Sequence, residues 1–157
     1  RAIVWGEVLE TNADSQLWDL IDIQDGIPML LKANQFELIP QATNLQAVEN
    51  AISFTKGCYI GQETVARAKY RGANKRAMFT LVGKFESEVS LPEVGGSVEM
   101  QLGENWRATG TILNSVAYQN KLWLQVVMNN DVEADSAFRI NGVPLAICDL
   151  PYSFKDA

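Results

Sequence analysis

The sequence predicts a mainly β protein of the α+β class, and two observations support this prediction. From Arg76 onward, six short runs of β-branched, aromatic or alternating residues are separated by Gly, Pro, Asn and acidic residues, which is typical of sequential antiparallel strands. Before Arg76, helical spacing of apolar residues appears only in short stretches between irregular segments. Six strands in series indicate a small barrel or a sandwich.

The six predicted strands are the runs "RAMFTLVGK", "SVEMQL", "WRATGTILNSVAYQ", "KLWLQVVMN", "FRI" and "VPLAIC". The Gln119-Asn120 step separates two of these runs and predicts a hairpin. Cys148 ends the last run and is predicted to be a core residue. Because burial is the usual fate of an aromatic residue in a strand, four aromatic residues are interpreted as core or sheet-face residues: Trp106, Trp123, Phe79 and Phe138.

The chain before the strands divides into two parts. Residues 1–10 are compatible with a strand, and Ser15 is predicted to cap a short helix that carries Leu17, Trp18, Leu20 and Ile21. This part resembles the end of an earlier domain. Residues 29–51 show neither helical nor strand periodicity and contain a proline and several asparagines. We interpret them as an irregular connector that packs against the rest.

Composition limits the functional classes. The chain has 157 residues, no histidine and two distant cysteines outside any C-x-x-C pair, which argues against a disulfide framework and a zinc site. Catalysis by Ser-His-Asp or Cys-His groups and most transition-metal sites need an imidazole, so these classes are excluded and no metal is expected. No apolar run approaches the roughly 18 residues that span a bilayer. We therefore expect a soluble, cytoplasmic chain, and the first residue, Arg1, suggests part of a longer protein.

Charge is concentrated in one window, "KGCYIGQETVARAKYRGANKR", residues 56–76. Six cations against one carboxylate give this window a net charge of +5, and the remaining chain carries −11, since the whole chain carries −6. A solvated helix face explains such a run as well as an anion site does. The anion would be a phosphate, a nucleic acid or a polycarboxylate.

Cys58 lies within the same window, between two glycines. The preceding "ISF" is predicted to be a short strand, and "ETVARAKYR" is predicted to be a helix that ends at Gly72. The positive end of this helix and nearby Lys56 would favour a thiolate at Cys58. The alternative is a buried structural cysteine that behaves as a small apolar side chain.

These residues also carry a resemblance. The string "KGCYIGQE", followed by "ARAKYRGANKR" and preceded by "IPQATNLQA", closely resembles the signature of the YgfZ family of folate-binding proteins, relatives of the glycine-cleavage T-protein. The resemblance implies three domains around an opening that binds tetrahydrofolate, the last domain being a β-barrel. This chain would be the C-terminal half: residues 1–75 would end the central folate-binding domain with the connector and motif, and residues 76–157 would form the barrel.

The resemblance also implies site residues. Cys58 would be a functional thiol, with Lys56 and Glu63 as its catalytic neighbours, and Trp18 would wall the pterin of a bound folate. For Trp18, packing in the helix core is the alternative reading. Three further residues would complete the folate-binding set: Tyr59, Gln62 and Arg67.

Three functions follow as hypotheses. The resemblance implies a folate-binding accessory protein that supports iron–sulfur enzymes and, through one of them, methylthiolation of tRNA; tRNA would then be an indirect partner, and no membrane is involved. A folate-dependent aminomethyl or methyl transferase is the first alternative, although no acid–base pair is evident and we lean away from an enzyme. A direct tRNA-binding module using Arg67 to Arg76 is the second, and the acidic net charge weighs against it.

Overall fold

The computed structural model describes residues 4–6, 8–57, 60–72, 74–86 and 88–154. These residues form two α-helices, α1 (Ser15–Gln24) and α2 (Gln62–Tyr70), and three short 3-10 turns, Lys32–Asn34, Pro40–Thr43 and Leu45–Ala47. They also form seven strands: β1 (Arg76–Lys84), β2 (Val98–Leu102), β3 (Asn105–Thr109), β4 (Thr111–Tyr118), β5 (Lys121–Asn129), β6 (Phe138–Ile140) and β7 (Val143–Cys148).

All seven strands belong to one antiparallel sheet with the order β3-β2-β6-β7-β1-β5-β4. The sheet curls into a half-barrel, which brings the edge strand β4 to the residues just before β2. There, the Gly95 N–H donates to the Ile112 carbonyl and the Ile112 N–H donates to the Gly96 carbonyl, both at 2.8 Å. The predicted fold class, α+β and mainly β with a C-terminal barrel, is confirmed.

The predicted number of strands is wrong, because there are seven strands where the sequence predicts six. The run "WRATGTILNSVAYQ" divides into β3 and β4 at Gly110, whose φ is +70°. A Cβ atom at Gly110 would lie 2.6 Å from Cγ1 of Val126 on β5. The chain therefore bends at a glycine inside a run whose alternation continues on both sides.

The predicted hairpin at Gln119-Asn120 is confirmed. β4 and β5 pair up to Tyr118 and Lys121, and the two residues between them both have positive φ, +48° and +58°. Positive φ at both central residues is the feature of a type I′ turn, which matches the twist of the flanking strands.

The apolar core fills the inside of the half-barrel, and β1 and β5 are buried on their outer faces as well. This two-sided burial explains why both strands read as nearly continuous apolar runs. On the outer face, α1 covers Val82 and Trp123, while the connector covers Met78 and Val127. The inside contains, among others, Ala77, Phe79, Leu81, Leu122, Leu124, Val126, Val98, Ile112, Phe138 and Leu145.

Residues 29–51 form an irregular connector that packs on the sheet, as predicted. The three 3-10 turns lie in this segment, and buried amide side chains fix it to strand backbone. Asn34 donates from Nδ2 to the Ile112 carbonyl at 3.2 Å. Asn44 donates from Nδ2 to the Met78 carbonyl at 2.7 Å and accepts from the Met78 N–H at 3.0 Å. The Asn44 amide thus makes the two hydrogen bonds that a neighbouring strand would make.

The aromatic residues behave as predicted. Phe79, Phe138 and Trp123 are buried, and Trp106 lies half-buried on the sheet face with the Arg139 guanidinium 4.3 Å from its ring centroid. Cys148 departs from its prediction as a core residue. It is half-buried, because it is the last residue of β7 and lies at the margin of the cluster under α1.

The helices agree with the predictions except at one cap. α2 follows Gly61 as expected. α1 is capped by Asp14 rather than by Ser15, since Ser15 is already helical and the Asp14 Oδ1 accepts a hydrogen bond from the Leu17 N–H at 3.3 Å.

Two segments that were predicted as strands contain no strand in their described residues. The "ISF" segment, residues 52–54, has no regular secondary structure. It does not pair with any strand of the described sheet. In the described part of the first ten residues, 4–6 and 8–10, there is no strand either.

The segment after β7 is fixed across the sheet to the end of α1. The Tyr152 hydroxyl donates to the Gly26 carbonyl at 2.6 Å, and the Phe154 ring packs edge-on against Phe79 with centroids 5.4 Å apart. Gly26 is required here, since a Cβ atom would lie 2.7 Å from the Tyr152 hydroxyl oxygen.

Replacing Tyr152 with phenylalanine should lower the free energy of unfolding by about 1 kcal/mol at pH 8, because the hydrogen bond to Gly26 is lost. Burial raises the pKa of Tyr152 above its ordinary value, and a hydrogen bond with Asn44 partly opposes this shift. Because the pKa of Tyr152 is higher in the folded than in the unfolded protein, the protonated phenol stabilises the fold. This stabilisation is fully present below about pH 10, the ordinary tyrosine pKa, and is lost as the pH rises through the folded-state pKa. The difference between wild type and variant should therefore narrow above about pH 10.

Denaturant unfolding between about pH 8 and pH 11 measures this difference. Tyr70→Phe, which removes an exposed phenol, is the control for a general effect of tyrosine loss. A difference for Tyr152→Phe that stays constant over the whole range would contradict the prediction.

Candidate functional site

Trp18 lies on the outer face of α1. Leu20 and Ile23 fill the face of this helix that packs on the sheet. Trp18 and Ile21 point away from that face, with 48% and 38% of their surfaces exposed. The core-packing alternative for Trp18 is therefore wrong, because other residues of α1 occupy the core positions.

The end of α1 is held by polar side chains of the sheet. Gln125, which is fully buried, donates from Nε2 to the Asp22 carbonyl at 3.3 Å and to the Ile27 carbonyl at 2.8 Å. Thr80 donates from Oγ1 to the Ile23 carbonyl at 3.0 Å. The last carbonyls of a helix lack partners inside the helix. Here the Ile27 and Gly26 N–H groups bond to the Asp22 and Ile23 carbonyls at 2.9 and 3.2 Å, and the sheet side chains add a second donor to each. α1 is thereby a fixed platform for Trp18.

Three of the predicted site residues lie on α2. Gly61, with φ +90°, precedes the helix, and Gln62 is half-buried at its first position. Glu63 and Arg67 form an ion pair one helical turn apart, with both side chains exposed. Exposed pairs at this spacing contribute only a few tenths of a kcal/mol. The structure thus brings Glu63 and Arg67 together on a solvated helix face.

The remaining predicted residues precede α2. The Lys56 backbone N–H donates to the Ser53 Oγ at 3.3 Å within an exposed turn. Cys58 and Tyr59, predicted as the functional thiol and as a folate-binding residue, lie outside the described residues.

Trp18 and the residues on α2 are placed against different parts of the sheet. α2 is tied to the connector, because Gln41 donates from Nε2 to the Val65 carbonyl at 2.7 Å, and the connector covers Met78 of β1. α1 instead covers Val82 of the same strand. Four residues of strand correspond to roughly 13 Å. The described residues therefore form two separate candidate surfaces.

A polar cavity of about 350 Å³, which was not predicted from the sequence, lies beside α2. It is bounded by the connector, α2, the start of β1, the residues after β5 and Phe154 in the segment after β7. Eight of its lining residues carry polar or charged side chains: Gln41, Asn44, Gln46, Lys69, Asn74, Arg76, Asn130 and the carboxylate Asp131. The signal in the sequence was the run "PQATN", whose amide side chains need partners once they are buried.

A second cavity of about 460 Å³ lies under the segment after β7, next to Phe79, Cys148 and Tyr152. Burial raises the pKa of the Cys148 thiol, and the Asp149 carboxylate raises it further, while Lys121 acts in the opposite direction. Cys148 is thus mainly protonated at neutral pH, which makes it a poor nucleophile.

Within the described ranges, no three His, Cys, Asp or Glu side chains are grouped so that they could hold a metal ion. No α-helix in that part of the chain has the length and apolar character needed to cross a membrane.

Comparison with known proteins places these features in context. Residues 74–143 match the family model "YgfZ, beta-barrel domain". Over 147 residues the chain is 55% identical to an uncharacterized protein of Haemophilus influenzae, covering 92% of this chain and 51% of that protein. Proteins named "tRNA-modifying protein YgfZ" are similarly close: that of Photorhabdus laumondii is 50% identical over 91% of this chain and 44% of its own length, and that of Serratia proteamaculans is 52% identical over 91% and 43%. The chain spans about half the length of the curated relatives it matches.

Proposed function

Because this chain belongs to the YgfZ family, we propose that it takes part in tRNA modification. One observation carries the proposal: about half of the residues are identical to proteins named for that role, over nine-tenths of the chain. Since those proteins are about twice as long as the matched region, the proposed role is that of a whole protein to which this region contributes.

We propose further that the role depends on a bound folate, with Trp18 against the pterin. The exposed indole on a fixed helix supports this assignment, since aromatic rings in contact contribute about 1 kcal/mol beyond the area they bury. Ile21 beside it would add apolar surface. Gln62 and Arg67 lie on α2, so any contact they make with folate would involve a more distant part of the ligand.

Support for iron–sulfur enzymes, with Cys58 as the functional thiol, is the finer part of the proposal. We favour an accessory role over the transferase alternative on the basis of Glu63. This carboxylate, the one predicted to assist catalysis, is paired with Arg67 on a helix that packs away from α1. An acid–base group for one-carbon chemistry would need to reach the pterin beside Trp18.

Replacing Trp18 with alanine should weaken tetrahydrofolate binding about tenfold, or about 1.4 kcal/mol, because the pterin loses its aromatic wall. Isothermal titration of this chain, and in parallel of the whole YgfZ protein of Serratia proteamaculans, measures the affinity. Folate should also quench tryptophan fluorescence in wild type and should quench it less in the variant.

Trp106→Ala is the matched control, because Trp106 is also a partly exposed indole but lies on β3, where it stacks on Arg139. Its affinity for tetrahydrofolate should equal that of wild type. If Trp18→Ala is folded and binds folate as tightly as the control, Trp18 is not part of the folate site. Methylthiolated nucleosides in tRNA hydrolysates from cells carrying either variant test the link to tRNA modification.

A further inference from the structure

Four cations that have no carboxylate partner among the described residues flank the polar cavity. Lys69, Arg71, Lys75 and Arg76, here called the basic strip, are all exposed. In the described part of the chain none of the four forms an ion pair, whereas Arg67 is paired with Glu63. The Lys69 ammonium lies 4.0 Å from the centroid of the Phe54 ring, and no described carboxylate pairs with the other three cations of the strip.

The basic strip follows a chain of depressions. Lys69 and Arg76 line the polar cavity together with one carboxylate, Asp131, so the charged side chains on its wall sum to +1. Lys75 and Arg76 line two further hollows, one against the bend at Gly110 and one against the connector. The three depressions adjoin at Arg76. Positive charge distributed along a groove suits an extended polyanion, because each phosphate can meet a different cation.

The side-chain oxygen of Gln41 lacks a hydrogen-bond donor among the described residues. This side chain lines the polar cavity and is only 2% exposed. Its Nε2 is committed to the Val65 carbonyl, and its Oε1 receives no hydrogen bond from any described residue. A buried carbonyl oxygen of this kind is stabilised by an N–H or O–H group that reaches it.

Hydrogen bonds within the protein fix the walls of the polar cavity without a ligand. Asn44, on the cavity wall, is bound to both backbone groups of Met78. Across the cavity, the Asn130 N–H donates to the Lys75 carbonyl at 2.9 Å. A site held by such bonds loses little conformational freedom on binding.

We propose that the polar cavity binds a ribonucleotide phosphate, with its anionic oxygens beside Lys69 and Arg76 and a ribose hydroxyl donating to the Oε1 of Gln41. The ribose 2′-hydroxyl is the donor that distinguishes RNA from DNA next to a phosphate. The choice of a ribonucleotide rests on the proposed role in tRNA modification, while the site rests on the geometry. The basic strip then contacts RNA directly, where the resemblance implies an indirect connection.

Binding of a fluorescein-labelled, unstructured RNA of about 12 nucleotides, followed by fluorescence anisotropy at several salt concentrations, tests the proposal. The logarithm of the affinity should fall with the logarithm of the salt concentration, by roughly 0.7 per phosphate contacted. Arg76→Glu should bind about tenfold more weakly at low salt and lose roughly one contact from this slope. Lys84→Glu, an equal change in charge at the exposed far end of β1, is the matched control and should bind like wild type.

The role of Gln41 is tested by comparing RNA with DNA of the same sequence. Wild type should prefer RNA, and Gln41→Leu should lose this preference while keeping its salt dependence. RNA with 2′-O-methyl groups provides the same test on the unmodified protein, because methylation removes the donor. This second measurement stands even if Gln41→Leu does not fold.

The outcomes separate the alternatives. Equal binding by Arg76→Glu and Lys84→Glu, or equal affinity of wild type for RNA and 2′-O-methyl RNA, would overturn the proposal. If adenosine monophosphate binds as tightly as the oligonucleotide and competes with it, the ligand is a free nucleotide and not a strand. Absence of RNA binding, together with folate binding that still depends on Trp18, would reject this inference alone and leave the folate assignment intact.

Discussion

Replacing Asn44 with alanine should lower the free energy of unfolding by about 3–5 kcal/mol. The Asn44 side chain is 1% exposed and makes two hydrogen bonds with the backbone of Met78, at 2.7 and 3.0 Å. Alanine would leave the N–H and the carbonyl of Met78 without partners, under an apolar cluster that contains Ala42 and Leu113. Each unsatisfied buried group costs about 1–3 kcal/mol.

Asn50 provides the control for backbone conformation. Both asparagines occupy the left-handed region, with φ +59° and +60°, where alanine is disfavoured. Asn50 is exposed, and among the described residues its side chain bonds only to neighbouring Glu49. Asn50→Ala should therefore cost only about 1 kcal/mol. Urea unfolding of the two variants measures both values, and equal losses would show that backbone strain, not the hydrogen bonds to Met78, explains the role of Asn44.

Replacing Gly83 with alanine should cost about 3 kcal/mol or more. A Cβ atom at this position would lie 2.2 Å from the Pro144 carbonyl oxygen and 2.9 Å from Cδ2 of Leu145. The first of these atoms belongs to strand backbone, so no side-chain rotation relieves the clash. β1 and β7 would have to separate, which would disturb the three residue pairs that join them.

Gly57→Ala is the matched control for Gly83→Ala. Gly57 has nothing within 4 Å of the Cβ position and no positive φ, so alanine there should change stability by less than about 0.5 kcal/mol. Thermal unfolding compares the two. A Gly83→Ala protein whose melting temperature matches that of Gly57→Ala would show that the sheet relaxes around the new methyl group at low cost.

The sequence predicts those parts of the fold that depend on local pattern. Alternation predicts the strands, and positive φ at Gln119 and Asn120 follows from the short connection between two strand-like runs. The division of one predicted strand into β3 and β4 at Gly110 could not be predicted, because it depends on the close approach of Val126 on β5. A single glycine in an alternating run does not reveal a contact made 16 residues later in the chain.

The candidate site divides in the same way. The helix after Gly61 and the pair Glu63–Arg67 follow from local spacing, so they can be read from the sequence. The polar cavity cannot be predicted from the sequence, since it joins residues from five segments. Its key atom, the Oε1 of Gln41, is recognised only because no described residue donates a hydrogen bond to it. The exposure of Trp18 likewise depends on which face of α1 meets the sheet.

The two-sided burial of β1 has a consequence for cooperativity. The family match begins at residue 74, just before β1, yet the outer face of that strand is covered by the connector at Met78 and by α1 at Val82. A cut at this boundary would expose both apolar clusters together with the backbone groups of Met78. The segments before and after residue 74 should therefore unfold as one unit, so the boundary of the matched domain does not coincide with a boundary of folding.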